Sequence, residues 1–160
     1  MTSRPLDILL AHNDWATRRL LDRCATLSEA DFHRRFDIGP GSLHDTLTHT
    51  VACIVGWCAL IEGDPWPEPA GTRTPTQIAG DLTAATATAR RLADGPLERG
   101  FEVGDPPTTY TVGATLTHCL NHGTHHRAQC LNLLRRLGET EPLDLGIDAW
   151  QRQTQQPHKP

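Results

Sequence analysis

Apolar residues recur at three-to-four spacing along most of this chain. Leu6, Leu9, Leu10, Ala16, Leu20, Leu21 and Cys24 follow that period, with Asp7, Asp14, Arg18, Asp22 and Arg23 among them. The pattern predicts an amphipathic helix over residues 5–24, with Pro5 suited to the first turn. Residues 25–41 read as a polar link closing on Gly39-Pro40-Gly41. Ser42-Leu43-His44-Asp45 then resembles a capping box with Asp in the Glu position, so a second helix is predicted from Ser42 to about Glu62. Its stretch from Val51 to Ile61 is apolar or glycine throughout, which predicts burial on most faces.

Three prolines and two glycines in residues 63–73 mark a crossover between elements. Thr74-Pro75-Thr76-Gln77 is a second capping box, with proline at the first helical position. Ile78, Leu82, Ala85, Ala89 and Leu92 give a third amphipathic helix ending near Asp94-Gly95-Pro96. Phe101-Glu102-Val103 and Thr109-Tyr110-Thr111 flank Gly104-Asp105-Pro106-Pro107, a pattern that suits a short hairpin. A fourth helix is predicted over residues 112–137, stopped by Gly138. The tail from Gly146 is polar and Gln-rich, and is expected to fray. The expected fold is all-α, an antiparallel four-helix bundle with a long crossover connection. Residues 1–145 form its single domain and 146–160 a polar tail.

Composition narrows the function classes. A chain of 160 residues suits one domain with a core that needs no disulfide staples. The formal charge of −4 argues against nucleic acid as a bulk electrostatic partner. No run reaches the roughly 18 apolar residues of a membrane span. The first residues lack the basic and apolar regions of a signal peptide. Five cysteines without a Cys-x-x-Cys pair argue against a disulfide framework, so a reducing cytoplasm is the expected location. What stands out is nine histidines.

Four of these, His118, His122, His125 and His126, lie on the fourth helix. Residues four apart share a helical face, so His122 and His126 present two imidazoles to one metal ion. The stripe Leu116-Cys119-Gly123-His126-Cys130-Leu133-Leu137 points that pair toward the bundle interior or its edge. His118 and His122 have the same spacing, so two pairings stay open. His118 and His126 are about 12 Å apart along the axis and cannot share an ion with His122 between them. Gly123 leaves room beside the pair for another helix or a substrate. A further ligand is needed, and the second helix offers His44 and His49, between which spacing does not choose.

His49 together with Asn121-His122-Gly123-Thr124-His125-His126-Arg127-Ala128-Gln129 resembles the DinB-like (DinB/YfiT) metalloprotein superfamily. Asn13-Asp14-Trp15-Ala16-Thr17 is similar to that family's first-helix Asn-x-Trp-Ala-Asn pattern, with Thr17 in place of the second Asn. The segment from Gly41 to His49 resembles its second-helix start. The resemblance covers most of residues 5–137. It implies a four-helix bundle with a long crossover, a metal triad of His49, His122 and His126, and homodimers.

Three neutral imidazoles leave a divalent ion with an open position, which suits chemistry better than a closed structural site. Zinc fits this ligand set best, and nickel or another transition metal also accepts imidazole. The resemblance implies two activities on a small-molecule substrate. One is S-transfer or isomerisation with a low-molecular-weight thiol as co-substrate. The other is metal-dependent hydrolysis. A third reading is a non-catalytic metal-binding dimeric bundle. Gly123 stands where a His-Glu-x-x-His protease has its general base, which argues against peptidase activity. His44, His125 and Tyr110 are the remaining acid–base candidates, and no spacing rule places them in the pocket. Arg127 is expected to face outward or to make a structural ion pair. His118 is expected beside the site or at the surface, Trp15 and Trp57 in the core or a pocket wall. The cysteines are expected as small core residues. His12, His33 and His158 carry no specific expectation.

Overall fold

The computed structural model describes residues 4–69 and 71–155. Four long helices carry the core: α1 (Pro5–Cys24), α3 (Leu43–Glu62), α4 (Pro75–Ala93) and α5 (Val112–Arg136). Two short helices, α2 (Glu29–His33) and α6 (Ile147–Gln155), and a hairpin of β1 (Gly100–Val103) and β2 (Thr108–Thr111) complete the described residues. Packing is extensive between α3 and α5, α1 and α4, α3 and α4, and α1 and α5. That pattern places α1 across the bundle from α3, and α4 across from α5. The link from α1 to α3 and the hairpin segment from α4 to α5 therefore each span a diagonal of the bundle, whereas the crossover joins the neighbouring helices α3 and α4.

Helix ends follow the capping chemistry in the sequence. Ser42 accepts the Asp45 N–H at the start of α3. Thr74 and Gln77 form the full reciprocal box at α4, with Pro75 in its first turn. At the other end of α3, Gly63 takes φ +88°, a conformation that glycine adopts without penalty. The core is the meeting of the apolar stripes. Leu20, Leu47, Leu82, Leu116 and Leu133 are fully buried, each contributing about 1.5–3 kcal/mol of burial free energy. All five cysteines are free and buried. No helix of the described residues is long and apolar enough to cross a membrane.

Two segments differ from the sequence reading, and the expected hairpin forms. The link over residues 25–41 contains α2, capped by Ser28, which accepts the Asp31 N–H. Five residues are too few to display a helical period, so this turn was invisible to pattern. The tail does not fray at its start. α6 occupies Ile147–Gln155 and docks on α1. Gln153 Oε1 accepts from Trp15 and Arg19, and His12 Nε2 lies 2.8 Å from the Leu145 carbonyl. The rest of the expected tail, residues 156–160 with His158, lies outside the described residues. The hairpin forms in register, Gly100 opposite Thr111 and Val103 opposite Thr108. It leads straight into α5: the Val112 N–H donates to Arg99 and the Gly113 N–H to Leu97.

Candidate metal centre

α3 and α5 face each other and place three imidazoles at the edge of the bundle. His49 sits two turns into α3, while His122 and His126 occupy successive turns of α5. The Nε2 atoms of His49 and His122 are 3.0 Å apart, as are those of His122 and His126. All three ligand atoms lie within 4.8 Å of one another. His126 is buried, His122 half-buried and His49 exposed, so the cluster is anchored inside and open outside.

The protonation states follow from the neighbours. Gln129 Oε1 lies 2.8 Å from His126 Nδ1, and Gln129 Nε2 donates to His125 at 3.0 Å. The carbonyl oxygen can only accept, so His126 carries its hydrogen on Nδ1 and aims a lone pair from Nε2. Burial, reinforced by the neighbouring imidazoles, pushes His122 down to about 4. Burial likewise lowers His126. Both rings are therefore neutral at pH 7, as metal ligands must be.

The contacts within this cluster are not self-sufficient. His122 Nε2 faces two other Nε2 atoms, yet carries at most one hydrogen. His126 presents a lone pair, so a His122 Nε2–H that donates to it has no lone pair left to accept a hydrogen from His49. At least one of the two 3.0 Å contacts is left without a proper hydrogen bond. His122 Nδ1 is also buried without a partner. A cation accepting all three lone pairs removes the conflict. Ligand nitrogens on a tetrahedral ion with bonds of 2.0–2.1 Å stand about 3.3 Å apart, close to the two 3.0 Å separations of His122 from its neighbours. The donor set thus fits one divalent ion, with Gln129 as the group that orients a ligand ring.

Beside the cluster lies a cavity of about 580 Å³, lined by His49, His118 and His122 at one side and by α3, α4 and the crossover at the others. His118 belongs to this wall: its ring stands 5.8 Å from that of His122 and 5.9 Å from Trp57. The other sequence candidates are dispersed. His44 is buried at the α3 N-terminus, bonded to Asp45 at 2.8 Å and accepting the Arg73 N–H. Its ring stacks on His33, centroids 4.4 Å apart. Tyr110 lies on β2 against Trp57 and Phe101. His125 is exposed, its ring edge-to-face with that of His126 at 5.2 Å and its Nε2 bonded to Gln129.

Arg127 departs from expectation. It is 5% exposed, and its guanidinium donates to Asn13 Oδ1, Thr17 and Thr124. It faces inward, and its partners are neutral oxygens, with no salt bridge to any described carboxylate. Gly123 is what admits this clasp: a Cβ there would fall 2.5 Å from Asn13 Oδ1. The Asn13–Arg127 clasp ties α1 to the turn of α5 that carries the two histidines. Sequence reasoning also missed Gln129, whose signal was its place three residues after His126.

Comparison with known proteins matches this architecture. The family model described as the DinB family matches residues 2–157. Protein DinB of Bacillus subtilis is 22% identical over 163 residues, covering 92% of this chain and 95% of that protein. The crystal structure of a DinB-family protein from Exiguobacterium sibiricum superposes with a TM-score of 0.71 at 20% identity, covering 91% of this chain and 99% of that one. A DinB-like protein from Bacillus cereus gives 0.58 at 20% identity, over 84% and 91% of the two chains. The structural likenesses establish the shared fold.

Proposed function

The chain belongs to the DinB family, and from that premise we propose that it is a metal-dependent enzyme with a low-molecular-weight thiol as co-substrate. His49, His122 and His126 hold one divalent ion, zinc in the first instance. The reaction is S-transfer or isomerisation of a small molecule. The observation that carries this reading is the convergence of three imidazoles, with ligand atoms within 4.8 Å of one another, beside a cavity that His49 and His122 line. Such an ion, when bound through three imidazoles, supplies Lewis-acid activation and keeps a thiol ionised at neutral pH.

The chain's own residues do the rest. Gln129 fixes the His126 ring, so that its lone pair is aimed before any ligand arrives. The Asn13–Arg127 clasp fixes the rotation of α5. The cavity sets apolar surface of α3, α4 and the crossover beside one side of the cluster. Thiol chemistry is favoured over hydrolysis by what surrounds the histidines. No described carboxylate joins the cluster, and glycine occupies position 123. Water activation calls for a general base, whereas a thiolate is already a nucleophile.

Metal analysis of protein purified without a His tag tests the site. We expect one ion per chain, lost in His49→Ala, His122→Ala and His126→Ala and kept in His118→Ala. Loss in the His118 variant with retention in the His122 variant would refute the assignment. Zinc-loaded protein is then given bacterial thiols and an electrophile. Thiol-dependent product supports the transferase, and ester cleavage without thiol makes the protein a hydrolase instead.

A further inference from the structure

The cavity beside the histidines has a definite chemical character. Its volume of about 580 Å³ falls in the range of small-molecule sites. Val51 and Val55 of α3, Ile78 of α4 and Pro67 of the crossover present apolar surface to it. Trp57 and Trp66 add two indoles, edge to face with centroids 6.0 Å apart.

Trp66 owes its position to one missing side chain. The crossover lays its indole directly on Gly56 of α3. A Cβ at position 56 would stand 2.3 to 2.5 Å from Cζ2, Cε2 and Cη2 of the ring. Any other residue there must push the indole away. Trp66 is nonetheless 49% exposed, which is unusual for a tryptophan held against a helix. An exposed indole face at a cavity rim is surface that a ligand ring can cover.

The charges point the same way. The one arginine lining the cavity, Arg73, stands 3.3 Å from Asp81 and is neutralised by it. Glu68 is exposed at the rim. Away from the histidine cluster, an anion in this space would lose hydration, meet no free guanidinium or ammonium among the lining residues, and stand near the carboxylates of Glu68 and Asp81.

We propose that the cavity recognises an uncharged, apolar, ring-bearing group, seated against Trp66 and Trp57, and that this group belongs to the substrate of the neighbouring metal centre. The ring recognition stands on the cavity alone; the word substrate rests on the proposed function above. Trp66 is then a specificity-determining residue, and Gly56 is the residue that positions it.

Probe affinities are compared in the metal-free full chain, where no ion draws an anion, with zinc loading as a separate readout, and the two fluorescent probes share a ring skeleton. N-phenyl-1-naphthylamine is uncharged, and 1-anilinonaphthalene-8-sulfonate adds an anion. The neutral probe is expected to bind saturably, one per chain, and at least tenfold more tightly than the sulfonate. Trp66→Ala and Gly56→Ala should each weaken it about tenfold, the scale of a lost aromatic contact. Trp66→Phe should restore most of the affinity, and all three variants should keep their zinc and their helical circular dichroism. The proposal is overturned if the sulfonate binds as tightly as the neutral probe. It is equally overturned by wild-type affinity in both the Trp66→Ala and Gly56→Ala proteins, or by absence of saturable binding. Ring binding with the same Trp66 and Gly56 dependence in a protein that takes no zinc supports the apolar site and refutes the metal reading instead.

Discussion

Glycine inside a helix is ordinarily a weakness, and replacing it by alanine stabilises by about 1 kcal/mol. Gly123 of α5 should behave in the opposite way. It is buried, and an added Cβ would meet Asn13 Oδ1 at 2.5 Å and an Arg127 terminal nitrogen at 3.1 Å. The methyl group therefore lands on the bond between those two side chains. Breaking a buried hydrogen bond to a charged group costs about 1.5–3 kcal/mol, and overpacking adds about 1–3 kcal/mol. Subtracting the propensity gain of about 1 kcal/mol leaves a net loss of about 1.5–5 kcal/mol. For a chain of this length that lowers the melting temperature by about 5–15 °C. Urea unfolding of Gly123→Ala, Asn13→Ala and the double variant forms a complete cycle. With Asn13 truncated, the obstructing oxygen is gone, and Gly123→Ala should then cost less than about 1 kcal/mol or stabilise. An equal loss in both backgrounds, or stabilisation in the wild-type background, would refute the clasp as the reason for this glycine.

Two further predictions concern the histidines. Gln129→Leu should lower zinc affinity by about 10–100-fold without removing a ligand, because the His126 ring loses the acceptor that orients it; competition with a fluorescent chelator measures this, and unchanged affinity would show that Gln129 plays no orienting part. In metal-free protein, stability should fall as pH drops from about 6.5 toward 4. The sign follows from the lowered pKa values of His122 and His126: in that window the unfolded chain binds protons that the folded cluster refuses. Urea midpoints across the window should show the slope, and His122→Gln should flatten it; an identical slope in the variant would sink the linkage.

The long elements were legible because their signals repeat. Apolar stripes ran for five or more turns in α1 and α5, and Thr74 with Gln77 announced the start of α4 three residues apart. The spacing of His122 and His126 placed two imidazoles on one face. Their meeting with His49 is a contact between separate helices, and only resemblance pointed to it. Arg127 was misjudged because a guanidinium is rarely buried without a carboxylate. Its true partner is more than a hundred residues away in the chain, and no local pattern encodes that. α2 is too short to show a period, and α6 lies in a polar segment whose helix depends on docking against His12, Trp15 and Arg19.

The division of labour between the helices and the crossover has an evolutionary consequence. Every proposed ligand stands in the middle of α3 or α5, where core packing holds it. Trp66 and Pro67, by contrast, belong to a surface segment that supports no core leucine. Insertions, deletions and exchanges accumulate in such segments with little penalty to folding. A lineage can therefore retain the histidine cluster unchanged while it rewrites the wall opposite, acquiring new clients for an old reaction. Families built on this plan can diverge widely in sequence and in what they act upon while keeping one chemical heart.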